Sequence, residues 1–187
     1  MKFNTILSRT ESDGVLSGIT ALRNHASARA KGVTQTGSSH YQFVVGLDTK
    51  AEAWHMVNDR GHTSSTVDGI MTAEPDPAHA VVFPRGMPLE IQMLHPEALR
   101  MWGRGGESFY PVLVQEIGRR SLLITFEHVE DPAFRATAVV NRKTGIIEKV
   151  AMLGDITVLT EVEIDVPLVR ESEPEFVPIT DWIRPDY

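Results

Sequence analysis

Three side chains suited to metal chemistry stand close together: His55, Asp59 four residues later, and His62 three further on. Asp48 or Thr49 as a cap and Gly61 as a stop predict a helix from Lys50 to Arg60, which places His55 and Asp59 on one face. His62 would then fold back toward them past the glycine. Two imidazoles and a carboxylate are a ligand set for catalytic zinc or non-haem iron. His55, Asp59 and His62 are therefore the candidate ligands of Zn or another divalent metal. The plainer reading is an exposed His55–Asp59 contact on a helix, with His62 opening a loop and no cofactor bound.

Two further stretches invite a chemical reading. His62-Thr63-Ser64-Ser65-Thr66 sets a histidine among hydroxyls, as acid–base or phosphate chemistry requires, but the His-x-Thr pair is not repeated. Hydroxyl-rich segments of this kind more often make turns and caps. Trp102-Gly103-Arg104-Gly105-Gly106 has the composition of a phosphate loop, yet a helix precedes it and a strand follows, the reverse of the order such a loop needs. Its functional reading is a basic–aromatic surface carried by Trp102 and Arg104, and its structural reading is a glycine-rich connection. There is no Gly-x-Ser-x-Gly elbow.

The elements that would position these residues fall into two textures. Lys2 to Leu7 reads as a short strand. Val15, Ile19, Leu22 and Ala26 recur at helical spacing in a helix that ends near Lys31-Gly32. Tyr41 to Leu47 reads as a strand, Thr66 to Thr72 as a possible one inside a loop region, and Ala80–Phe83 and Pro88–Leu94 as two more. Pro96 opens a short helix through Met101. After residue 109 the texture is all strand. Tyr110–Ile117 and Ser121–Val129 form one hairpin, and Phe134–Val140 and Ile146–Leu153 another across Asn141–Gly145. Ile156–Val166 alternates Ile156, Val158, Thr160, Val162 and Ile164 with Thr157, Leu159, Glu161 and Glu163, a half-buried strand with its acids outward. The expected class is α+β: a mixed N-terminal α/β part with a C-terminal antiparallel β-meander. The expected organisation is a single domain over 1–169 and an acidic, proline-containing tail over 170–187.

Composition narrows the functions. The 187 residues contain no cysteine, which excludes disulfides, thiol nucleophiles and Cys-ligated clusters. The net charge of -7 is uneven: residues 161–187 hold eight acids and two bases, whereas residues 1–47 hold five bases and two acids. An acidic chain lacks the basic footprint of sequence-specific nucleic-acid binding, which is not expected here. Acidic mimicry of nucleic acid would need carboxylates spaced like phosphates. No apolar run approaches the length of a membrane span or a signal-peptide core, so the expectation is a soluble, intracellular, cytoplasmic protein.

The leading reading is a non-enzymatic protein-interaction or assembly protein whose C-terminal strand and acidic, aromatic tail form the interface. Phe176, Trp182 and Ile183 serve as its anchors, because aromatic groups dominate interface energetics. The expected partner is another protein or a second copy, which gives a homo-oligomer, and no membrane. The alternative is a small metal-dependent hydrolase or nuclease acting on a phosphate ester.

Overall fold

The computed structural model describes residues 1–37, 39–61, 63–67, 70–74, 87–169 and 176, with backbone only for 63–67 and 70–74. One antiparallel sheet of ten strands dominates them, with strand order β5-β4-β3-β2-β1-β10-β9-β8-β7-β6. The first meander is β1 (Ser27–Thr36), β2 (Ser39–Asp48), β3 (Ala53–Asn58), β4 (Thr63–Val67) and β5 (Ile70–Glu74). The second is β6 (Phe109–Ile117), β7 (Ser121–His128), β8 (Arg135–Asn141), β9 (Ile147–Met152) and β10 (Asp155–Ile164). They join where β1 pairs antiparallel with β10. The C-terminal meander is as expected, but the N-terminal part is a second meander, so the molecule is sheet-dominated and not a mixed α/β assembly followed by strands.

Three short helical elements lie on the inner face: α1 (Arg9–Thr20), α2 (Leu89–Leu94) and a 3-10 turn at Pro96–Ala98. An open sheet this wide curls, and α2 touches both β2 and β9, strands three places apart. The sheet therefore wraps around this helix. Ile91, Met93 and Leu94 are fully buried there, packed with Phe43, Val45, Trp54, Met56, Ile124, Phe126, Val140 and Ile147 from strands of both meanders.

The differences from expectation have local causes. Asp48 accepts hydrogen bonds from the backbone N–H groups of Lys50 (2.9 Å) and Ala51 (3.1 Å). That is the chemistry of a helix cap, used here to close a hairpin turn in which Glu52 takes φ 48°. The residues that follow are β3, buried at every position, and not a helix. Pro88–Leu94 is not a strand either. Leu, Glu, Gln and Met all favour helix, and α2 stops at His95 because the residue before a proline avoids the helical region. The helix begun at Arg9 ends at Thr20, and Ala28 and Ala30 belong to β1 with Arg29 and Lys31 alternating outward. Glu11 accepts from the Ser8 backbone N–H (2.9 Å), which makes Ser8 the cap of the helix that starts at Arg9. The expected strand Lys2–Leu7 reduces to one bridge, Ile6 to Leu113. The loop region around Thr66–Thr72 contains β4 and β5, whereas Ala80–Phe83 lies outside the described residues.

β10 reverses part of its expected facing. Thr157 and Leu159 are buried, while Ile156 is about two-fifths exposed (40%). A register shift at Lys31/Gly32 is responsible: before it Thr34 and Gly32 face Thr157 and Leu159, and beyond it Ala30 and Ala28 face Val162 and Ile164. The shift leaves Arg29 opposite Glu163 and Lys31 opposite Glu161, with ion pairs of 3.7 and 3.2 Å. The basic start and acidic end of the chain thus meet along the seam.

Candidate functional site

The structure puts His55 and Asp59, which spacing had grouped on a helix face, on and just beyond a strand. His55 is in β3, buried at 6% on the face turned away from the core, opposite Gly46. Asp59, past the strand end, accepts from the Gln42 backbone N–H (3.0 Å). The shared helix face is absent, and four residues along a strand span roughly 13 Å. His62 lies outside the described residues, and among these no three acidic or histidine side chains are placed to hold a metal.

Trp102 is a core residue, 2% exposed. Its indole N–H donates to the Pro96 carbonyl (2.7 Å), and its ring meets Phe126 edge-on at 5.4 Å. Arg104 is spent on local structure. Its guanidinium donates to the carbonyl oxygens of Glu97 (2.9 Å) and Leu99 (2.8 Å) and to the Glu107 carboxylate (2.7 Å), closing the loop after the 3-10 turn. A glycine loop held this way is scaffolding. Of the anchors expected in the tail, Phe176 is half-buried, and Trp182 and Ile183 lie outside the described residues.

The segment after β10 offers a surface that residue types did not reveal. Asp165 takes φ 56° and turns the chain, so that Pro167, Leu168 and Val169 cross the outer face of β1–β3 against Arg29, Val44 and His55. A Cβ on Gly46 would sit 2.7 Å from a Leu168 methyl. The glycine leaves a hole in the sheet surface, and Leu168 fills it. Val44, Ala53, His55 and Val57 are buried although they face away from the core, which is why every position of β3 is buried. Strand glycine at a close approach was the available signal, but nothing in the sequence says what approaches.

Two polar networks sit on the inner side. Glu90, 4% exposed, accepts from Tyr41 Oη (2.6 Å) and Thr34 Oγ1 (3.1 Å), and Thr34 bonds Thr157 (3.1 Å). The cluster ties α2 to β1, β2 and β10, and burial followed by the Glu90 charge pushes the Tyr41 phenol far above its usual range. At the other end of α2, Arg23 donates to His95 Nδ1 (2.6 Å) and to both Glu97 oxygens (2.9 Å each).

Burial, with the Arg23 charge adding to it and Glu97 opposing, holds His95 below its ordinary pKa of 6.5. The unfolded chain therefore takes up this proton first, so stability is undiminished above about pH 6.5 and falls as pH drops below it. Melting temperature is expected to decline between pH 7.5 and 5.5, and to decline less in His95→Gln. His25, also held low by burial and then Arg23, supplies a remaining decline. Equal pH dependence in wild type and His95→Gln would contradict this.

No family model and no curated protein matches the chain. Its fold is similar to that of MucB: 11% identity over 86% of this chain and 61% of that one, TM-score 0.51. MucB in complex with MucA(peri) gives 15% identity over 83% and 56%, TM-score 0.51. The Pseudomonas aeruginosa MucA/MucB complex gives 15% over 84% and 58%, TM-score 0.52. The chain spans about three-fifths of the length of these MucB chains. Among the described residues no helix is long and apolar enough to cross a membrane. One of these structures holds MucB with MucA(peri), a finding that points away from the cytoplasmic, intracellular expectation and corrects it. At these identities the fold is what is shared: the chain's curled antiparallel sheet is similar to the fold of MucB.

Proposed function

We propose that this chain is a protein-binding module whose interface is formed or completed by the segment that follows β10. The observation that carries it is the seating of Leu168 over Gly46: the end of β10 is steered by Asp165 onto the outer sheet face and delivers the next residues there. Residues 170–187 then act as an acidic arm, with Phe176, Trp182 and Ile183 as anchors. Glu161 and Glu163 are already balanced by Lys31 and Arg29, so the charge offered to a partner is that of the arm. The complex of the similarly folded MucB with MucA is support for a protein as the partner. The partner expected is a protein with a basic, apolar-studded surface.

The test removes residues 170–187 by ending the chain at Val169, which keeps Leu168 in its seat. Partner capture is expected to be lost while melting is retained.

A further inference from the structure

A cleft of about 310 Å³ opens between the β2–β3 turn and the two ends of α2. It is separate from the outer face used by the C-terminal segment. Its wall is apolar, made by Leu47, Trp54 and Met87, while Asp48 and Glu52 from the turn and His95 from the end of α2 line it. This volume is at the small end of ligand sites, enough for one small molecule or one long side chain.

The charge around the cleft is one-sided. Arg23, the cation nearest His95, is matched by the two oxygens of Glu97 and donates to His95 Nδ1. With Nδ1 accepting that bond and the imidazole held uncharged, His95 adds no positive charge. Lys50 shares the turn and is exposed, but its side chain does not line the cleft. Among the described residues neither Asp48 nor Glu52 has an ion-pair partner. Asp48 spends one oxygen on the turn amides, and Glu52, held at φ 48°, is exposed at the mouth. Among the described residues, two carboxylates thus rim an apolar slot with no matching cation.

We propose that the cleft binds a cationic group carried on an apolar stem, an alkylammonium, as in a free amine or a lysine side chain of a peptide. The stem lies against Leu47, Trp54 and Met87, and the ammonium meets Asp48 and Glu52. An alkyl carboxylate of equal length meets the same wall but is repelled at the rim.

The full chain is titrated by NMR with n-hexylammonium, n-hexanol and n-hexanoate, following Trp54 and His95. The ammonium is expected to bind about fivefold more tightly than the alcohol, or about 1 kcal/mol for two partly exposed charges, and the carboxylate more weakly than both. Asp48→Asn with Glu52→Gln should erase the preference for ammonium and leave the alcohol's affinity unchanged. Glu161→Gln, on the far seam, should leave the preference intact, which separates a local effect from the overall acidity. A lysine-bearing capped tripeptide binding more tightly than hexylammonium assigns the site to polypeptides, and the reverse assigns it to free amines. Hexanoate or hexanol binding as tightly as the ammonium, absence of binding by all three, or a preference that survives the double substitution would overturn the proposal.

Discussion

Replacing Gly32 with alanine is expected to lower the melting temperature by roughly 6–12 °C, because overpacking at a fixed backbone costs about 3 kcal/mol and each kcal/mol moves a chain of this size by about 2–4 °C. A Cβ at this position would lie 2.3 Å from the Val158 carbonyl oxygen and 2.4 Å from Phe43 Cζ. The phenyl ring has some freedom, but the carbonyl has little. It belongs to β10 at the seam that joins the two meanders, at the very place where the register shifts. Relief requires the seam to open or the shift to move, and either one turns a set of core residues outward. Gly14→Ala is the matched control. Gly14 is exposed within α1, has nothing within 4 Å of a built Cβ, and alanine there should stabilise by about 0.5–1 kcal/mol. Thermal melts of both variants decide the point; Gly32→Ala melting within about 2 °C of wild type would show that the seam is not rigid.

Trp102→Ala is the second large effect, expected to cost about 3–5 kcal/mol as a buried aromatic truncation. The ring is 2% exposed, packs on Phe126, and its N–H donates to the Pro96 carbonyl, which also accepts from the Leu99 N–H. Trp102→Phe should recover much of the packing but not the hydrogen bond, and so fall between. Were Trp102 a binding residue on a basic–aromatic loop, Trp102→Ala would instead weaken partner capture while leaving melting unchanged. Denaturant titration alongside partner capture distinguishes the two outcomes.

What sequence made legible follows from period and turn chemistry. The hairpins β6–β7 and β8–β9 were readable because Gly118 and Gly145 take positive φ where the strands stop, and glycine between apolar runs carries that information. The turn before β3 was misread because an Asp cap serves a helix and a hairpin equally well, and Ala53–Asn58 has no polar face from which to tell the period. The metal constellation rested on that helix, and the shared helix face it required for His55 and Asp59 is absent. β10 was placed correctly along the chain, but its facing depended on a register shift at Lys31/Gly32 of its partner β1, a strand at the opposite end of the sequence. The seat of Leu168 was invisible for the same reason: Gly46 marks a close approach, yet only the fold says which residue arrives. Charge was more informative than any motif, since the basic residues of β1 and the first acids of the C-terminal segment do meet.

The central claim, that the segment beyond Val169 is the binding element, is tested most directly by comparing partner capture and melting in the full chain and in the chain ended at Val169. The expected result is a discrete partner retained by the full chain and lost by the shortened one, with melting temperatures that agree within about 2–4 °C, the shift of a single kcal/mol. Capture by the shortened chain equal to that of the full chain would contradict it.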